Sequence, residues 1–189
     1  MNALVEKVVE LPKEIEMDVK RNRVKMKLHG KEIERKFKVK HISIEKKDSS
    51  VLIKADSDKK SVLSIMNTIS SDLDNMANGL KFGYECKAEI VYSHFPMNIA
   101  VKDVVVEINN LAGAKQAKKA QIVGLTTVQV KGKEITIKGP DKQAVGQTAA
   151  NLEQATKIKN KDVRVFQDGI YIISKPKLVM QAADGEKSA

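Results

Sequence analysis

The stretch Ile137–Val145, IKGPDKQAV, is a corner at which a strand hands over to a helix. Before Pro140, apolar and polar residues alternate, the period of a half-buried strand. After it, apolar positions recur every three or four residues, the period of one helix face. Asp141 stands where a helix cap belongs. An earlier corner, IKADSDKKSV (Ile53–Val62), matches it with one residue of slack. Two such corners in 189 residues point to a duplication, and the order of elements around each carries the inference further than residue identity does.

Ahead of the first corner, EIEMDV, RVKMKLHG and KEIERKFKV read as strands, with His29-Gly30 turning between the last two. HISIEKK and VLIKA follow, separated by Asp48-Ser49-Ser50. Val62, Leu63, Ile65, Met66, Ile69, Leu73 and Met76 then form a helical stripe, with Ser57 or Asp58 as its cap and Asn78-Gly79 as its close. A long strand, YECKAEIVYSHF, ends this half. Around the second corner, AVKDVVVEI, AQIVG, TTVQVKG and KEITIKG are strands, with Gly132-Lys133 as a hairpin turn. PDKQAVGQTAANLEQATKI is the helix, burying Val145, Ala149, Leu152 and either Thr156 or Ile158, and GIYIISK is the last strand.

A helix that follows antiparallel strands can cover one face of their sheet. The expected class is therefore α+β: two duplicated two-layer domains, each a mainly antiparallel sheet covered by one helix. The expected domains are 1–96 and 97–177, joined around Phe95-Pro96, with 178–189 as a polar, disordered tail.

Apolar residues make up 42 % of the chain and aromatics 4 %, with no tryptophan, so the cores are built from Val, Ile, Leu, Met and Ala. Cys86 is the single cysteine, which excludes an internal disulfide or a thiolate metal site and fits a reducing compartment. No run of eighteen apolar residues is present. The first twenty residues lack the basic start and apolar middle of a signal peptide, and the expected compartment is the cytosol.

The net charge is +10. Nucleic acid is the commonest partner for such a surface, with an anionic membrane as the other candidate. Residues 1–95 carry 19 Lys/Arg and 15 Asp/Glu; residues 108–182 carry 13 and 5, so the second half is the better anion binder. Its lysines gather in three loops: Lys115, Lys118 and Lys119; Lys131 and Lys133; and Lys157, Lys159 and Lys161 with Arg164. Any one of them reads more simply as a solvated surface charge. Together they favour binding, because each neutralised phosphate releases counterions.

QATKIKNKDVRVFQDGIYIISK (Gln154–Lys175) resembles the C-terminal signature of the universal large-subunit ribosomal protein six family in its archaeal and eukaryotic form. Gln154, Ile158, Lys161, Arg164, Phe166, Asp168, Gly169, Ile170, Tyr171, Ile172 and Lys175 fit that pattern. GQTAANLEQATKI resembles the family's helix, and YSHFP (Tyr92–Pro96) its domain junction. In NNLAGAKQAKKA the chain keeps Asn110, Gly113 and Lys115 of the family's Asn-Phe-Leu-Gly-Glu-Lys run, but has Leu111, Ala112 and Ala114.

The resemblance implies a structural protein, not an enzyme, that binds large-subunit ribosomal RNA chiefly through its second domain. It implies a place near the base of the factor-binding stalk and the sarcin–ricin loop, with neighbouring ribosomal proteins as partners. No cofactor, metal, membrane or small-molecule substrate is implied. The RNA-binding residues expected are Lys115, Lys118, Lys119, Lys131, Lys133, Lys157, Lys159, Lys161, Arg164, Gln167, Lys175 and Lys177. Gln167 can reach RNA or face water. Asp168-Gly169 reads as a tight turn resting on the φ > 0 that glycine accepts, and Phe166, Ile170 and Ile172 as core anchors that hold the basic loop. Folded RNA is bound largely by shape, phosphates and 2′-hydroxyls, for which Lys, Arg, Gln and Asn serve.

Other chemistry finds little support. His29, His41 and His94 are scattered, with no metal-ligand spacing. No GxSxG, GxGxxG or P-loop is present. Cys86 in GYECKAE reads as an inert mid-strand thiol. The alternatives are a free-standing structured-RNA binder and an RNA-processing enzyme. The second needs a carboxylate cluster or nucleophile–base pair that the sequence does not offer.

Overall fold

The computed structural model describes residues 5–12, 14–20, 22–37, 39–47, 50–159, 162 and 164–179. Its contacts divide the chain into two compact units, Met1–Lys81 and Phe82–Ala189. The first unit opens with strand β1 (Val5–Glu10). The meander β2 (Glu16–Lys20), β3 (Arg23–Leu28) and β4 (Lys31–Lys36) follows, then the pair β5 (Ile42–Lys47) and β6 (Ser50–Ala55), then helix α1 (Lys60–Phe82). The second unit repeats the order: β7 (Tyr84–Val91), a meander of β8 (Asn98–Lys102), β9 (Val105–Asn109) and β10 (Lys118–Gln121), the hairpin β11 (Thr127–Lys131) and β12 (Glu134–Gly139), and helix α2 (Lys142–Thr156). A final strand, β13 (Gly169–Leu178), has no counterpart among the described residues of the first unit.

The duplicated α+β plan expected from the corners is therefore present. Each unit divides its strands between two antiparallel sheets where the alternation alone implies one. In the first unit the sheets run β1-β6-β5 and β2-β3-β4; in the second, β11-β12-β7-β13 and β10-β9-β8. The correspondence holds in the pairing: β1 lies beside β6 as β7 lies beside β12, both antiparallel.

That pairing moves the boundary expected at 96/97. YECKAEIV does not close the first half; it opens the second, between β12 and β13, and sends Tyr84, Cys86, Ala88 and Ile90 into the second core. The residues around Phe95-Pro96 thus lie within the second unit. The strand that does open the first half, VEKVVE, breaks alternation at Val8-Val9 and leaves Val8 exposed, so its periodicity is poor.

Local chemistry explains the rest. His29 and Gly30 both have positive φ (47° and 78°), as a two-residue hairpin turn matched to strand twist requires. AVKDVVVEI is two strands, because Asp103 takes φ 40° and turns the chain between Lys102 and Val105. Helix α1 runs past Asn78-Gly79, since Gly79 and Leu80 are buried in its packed face, and it ends at Phe82 before Gly83 at φ 79°. Ile65 of its expected stripe is exposed. The Asp141 carboxylate caps α2 by accepting from the Gln143 N–H at 3.0 Å. The α2 stripe ends on Thr156, which is buried, and Ile158 lies beyond the helix. β13 extends through Leu178, the first residue of the expected tail, and the Val179 N–H donates to the Gly83 carbonyl at 3.0 Å. Expectations placed on Asp48, Ser49, Lys161 and residues 180–189 lie outside the described residues.

Candidate nucleic-acid interface

The second unit's basic loops meet around one segment, Tyr92–Met97, which leads from β7 to β8. Three of them touch it through defined contacts. In the β11–β12 hairpin, the Lys133 ammonium lies 4.7 Å from the centre of the Tyr92 ring, within cation–π range. The Lys133 carbonyl also accepts from the Ile90 N–H at 2.8 Å, which fixes this hairpin against the end of β7. In the loop before β13, Asp168 Oδ1 accepts from both the backbone N–H (2.9 Å) and the hydroxyl (3.0 Å) of Ser93. In the β9–β10 loop, Asn110 Nδ2 donates to the Pro96 carbonyl at 3.1 Å. Gly113 lies so near the Phe95 ring that a Cβ there would sit 3.4 Å from it.

The loop carrying Arg164 is held from within as well. Asp162 organises it: its carboxylate accepts from the Arg164 N–H at 2.9 Å, and its carbonyl accepts from the N–H groups of Val165 and Phe166. Gln167 Nε2 donates to the Arg164 carbonyl at 3.3 Å, and the Tyr171 hydroxyl donates to the Gln167 carbonyl at 3.1 Å. Thr156 Oγ1, at the end of α2, accepts from the Ile170 N–H at 2.9 Å and donates to the Leu152 carbonyl at 3.1 Å. A loop fixed at this many points gives up little conformational freedom when it meets a partner.

Two readings of this loop change. Asp168-Gly169 is not a left-handed turn, and Gly169 takes no positive φ. Gly169 is the first residue of β13, paired with Val91, and a Cβ there would meet Thr156 and Tyr171 only at ordinary contact distances of 3.5–3.6 Å. Asp168 is 8 % exposed and ties the loop to Ser93. Phe166 is 40 % exposed and is no core anchor, whereas Ile170 is buried and Ile172 packs against the core. With Gln154, Lys157, Ile158 and Tyr171, Phe166 lines a recess of about 490 Å³ beside the loop.

Lys115, Lys118, Lys119, Lys131, Lys133, Lys157, Lys159, Arg164 and Gln167 are all exposed. Lys119 reaches Glu107 at 3.7 Å, but Glu107 is also held by Lys102 at 2.7 Å, which takes part of its charge. The hydrogen bond from Lys102 pulls the Glu107 carboxyl below its ordinary pKa, so the acid stays ionised. Arg164 contacts Asp162 at 3.3 Å while remaining largely exposed. Lys175 and Lys177 are set apart along β13; Lys177 lies opposite Glu85, toward the far end of the sheet. Sequence reasoning misses Ser93 and Thr156, whose partners lie 75 and 14 residues away. Asp162 was within reach, since an Asp two residues before its partner N–H is a common turn former.

Among the described residues no group of three His, Cys, Asp or Glu could hold a metal ion. Cys86 is buried, donates to the Ser174 carbonyl at 3.0 Å, and has its thiol pKa pushed up by burial.

A family model described as ribosomal protein L6 matches residues 95–169, a span that contains all three basic loops and the Phe95–Met97 end of the segment they meet on. The large ribosomal subunit protein uL6 of Methanobrevibacter smithii is 40 % identical over 173 residues, covering 92 % of this chain and 97 % of the relative. The chain belongs to the uL6 family. The uL6 proteins of Thermoplasma volcanium (40 % over 168 residues; 89 % and 94 % covered) and Methanosarcina mazei (40 % over 171; 90 % and 97 %) match it to similar extent. Coverage of this depth takes in both units, so the uL6 likeness extends well beyond the signature around Asp168.

Proposed function

We propose that this uL6-family chain is a structural constituent of the large ribosomal subunit in the cytoplasm. Its second unit binds large-subunit ribosomal RNA through the loops gathered on Tyr92–Met97. Lys115, Lys118, Lys119, Lys131, Lys133, Lys157, Lys159, Arg164 and Gln167 form the contact surface, flanked by Lys175 and Lys177, with Lys161 in the same basic run. The bound RNA lies near the base of the factor-binding stalk and the sarcin–ricin loop, beside neighbouring ribosomal proteins. The protein keeps that RNA folded for the translational GTPases that dock on it. The chemistry is positional: phosphates are neutralised by a surface set before binding, and no bond is made or broken.

The convergence of three lysine-bearing loops on one hydrogen-bonded segment carries this reading. Scattered solvated lysines would not need Asp168, Asn110 and Lys133 all tied to the same six residues.

The test is RNA binding by the full chain with Lys133, Lys159 and Arg164 all changed to Ala. Affinity for a large-subunit RNA fragment should fall, and the slope of log K against log salt should flatten by about 0.9 for each lost contact. An unchanged affinity and slope would remove these loops from the interface. Co-sedimentation of the wild type with large subunits in high salt separates a ribosomal constituent from a free RNA binder, which would stay in the soluble fraction.

A further inference from the structure

The first unit carries a cationic row that its fold does not require. At one end of the β2-β3-β4 sheet, Lys20 stands directly opposite Arg23, and Arg23 directly opposite Lys36. Residues opposite one another on adjacent strands share a face, and like charges there are destabilising. With neighbouring strands about 4.8 Å apart, three positive side chains cross about 10 Å of sheet. Lys40 joins them at the rim of the same groove, whose volume is about 720 Å³.

Internal compensation is partial. Lys20 reaches Asp18 at 3.2 Å and Arg23 reaches Glu34 at 2.9 Å. Among the described residues, Lys36 and Lys40 have no carboxylate within reach. The backbone beneath the groove is nevertheless fixed. The Asn22 carbonyl accepts from the Phe37 N–H at 2.7 Å, and Asn22 Nδ2 donates to the Val39 carbonyl at 3.2 Å. Phe37 is buried below.

The duplication supplies an internal control. The same row of the second unit's meander holds Lys102, Val105 and Gln121, with a single charge. Three cations are thus a property of this row and not of the meander. We propose that the row is a second anion site, which takes phosphate groups of a folded RNA. None of the large exposed apolar side chains lines the groove, whereas protein interfaces centre on buried apolar and aromatic side chains. Phe37 is buried, so no base can stack on it, and the backbone is what the groove can read. This site is separate from the loops of the second unit and stands or falls without them.

The experiment uses the full chain and follows the amide NMR signals of Asn22, Phe37 and Val39. A short RNA duplex, inorganic phosphate and a poly-glutamate peptide are added in turn. The duplex should shift these signals reversibly with salt, and Lys36→Gln with Lys40→Gln should abolish the shift while leaving the second unit's response intact. Silence toward the duplex, a response to phosphate alone, or tighter binding of poly-glutamate would each overturn the proposal. Lys36→Gln alone should raise the melting temperature of the free protein at low salt, a gain that fades in about 1 M salt, where charges are screened within about 3 Å. A lowered or salt-independent melting temperature would remove the repulsion on which the proposal stands.

Discussion

Asp168 and Ser93, 75 residues apart, are joined twice through one carboxylate oxygen, at 2.9 Å to the serine N–H and 3.0 Å to its hydroxyl. The pair fastens the Arg164 loop to the segment that leads into β8. Asp168→Ala removes the acceptor for both donors in a part-buried place. An unsatisfied buried donor costs about 1–3 kcal/mol, so urea unfolding should show a loss of about 2 kcal/mol. Asp168→Asn keeps a carboxamide oxygen that can accept both bonds and should lose less than half as much. Equal losses in the two variants would show that the charge, not the hydrogen-bond geometry, holds the loop.

The placement of β7 predicts how the chain can be cut. A fragment that begins at Met97 lacks the strand lying between β12 and β13, and with it Tyr84, Cys86, Ala88 and Ile90 of the core. Such a fragment should give no cooperative thermal transition and a collapsed amide spectrum. A fragment running from Phe82 through Val179 should melt cooperatively and show dispersed amide signals. Cooperative folding of the shorter piece would place the boundary back at 96/97.

Two neighbours on β7 make stability fall in alkali. Burial raises the pKa of the Cys86 thiol above its ordinary 9.0. Burial, with a smaller contribution from Asp141, raises that of the Tyr84 phenol above its ordinary 10.0. For both groups the folded value exceeds the unfolded one. Their contribution is therefore fully present below pH 9 and is lost as pH rises through the unfolded and then the folded value. Unfolding free energy measured across this range should decline from about pH 9 upward, and Cys86→Ala should delay the onset. A flat profile from pH 8 to 11 would mean that neither group is sequestered.

Thr126 Oγ1 is buried without a hydrogen-bond partner among the described residues. Thr126→Val exchanges that hydroxyl for a methyl of similar shape and removes an unrewarded desolvation. Stability should be unchanged or rise by up to about 1 kcal/mol, as read by chemical denaturation. A loss above about 1 kcal/mol would show that the hydroxyl does find a partner in solution.

Wherever local physics suffices, the sequence is a sound guide. His29-Gly30 supplies the two positive φ values of its hairpin, Asp141 caps α2, and a 3.6-residue period places Val62, Met66, Ile69, Leu73 and Met76 in the first core. Where the sequence misleads, a distant residue decides. Asp168-Gly169 has the composition of a turn, yet Ser93 claims the aspartate, and Val91 pairs with the glycine as β13 begins. Phe166 has the composition of a core residue, yet it is 40 % exposed and lines the open recess beside Gln154 and Tyr171. At Asp103 the signal was too weak: a hairpin without glycine or proline reads as one uninterrupted strand.

The chain's own order of residues determined the duplicated strand-and-helix plan, the basic balance of the second half and the family to which it belongs. All three follow from neighbours along the chain or from composition. Only the folded molecule decided that YECKAEIV lies between β12 and β13, that three separate lysine loops meet on Tyr92–Met97, and that Lys20, Arg23 and Lys36 stand in one row. Strand partners and loop convergence depend on which surfaces best exclude water together. That choice is made between residues far apart in the chain, and no local period records it.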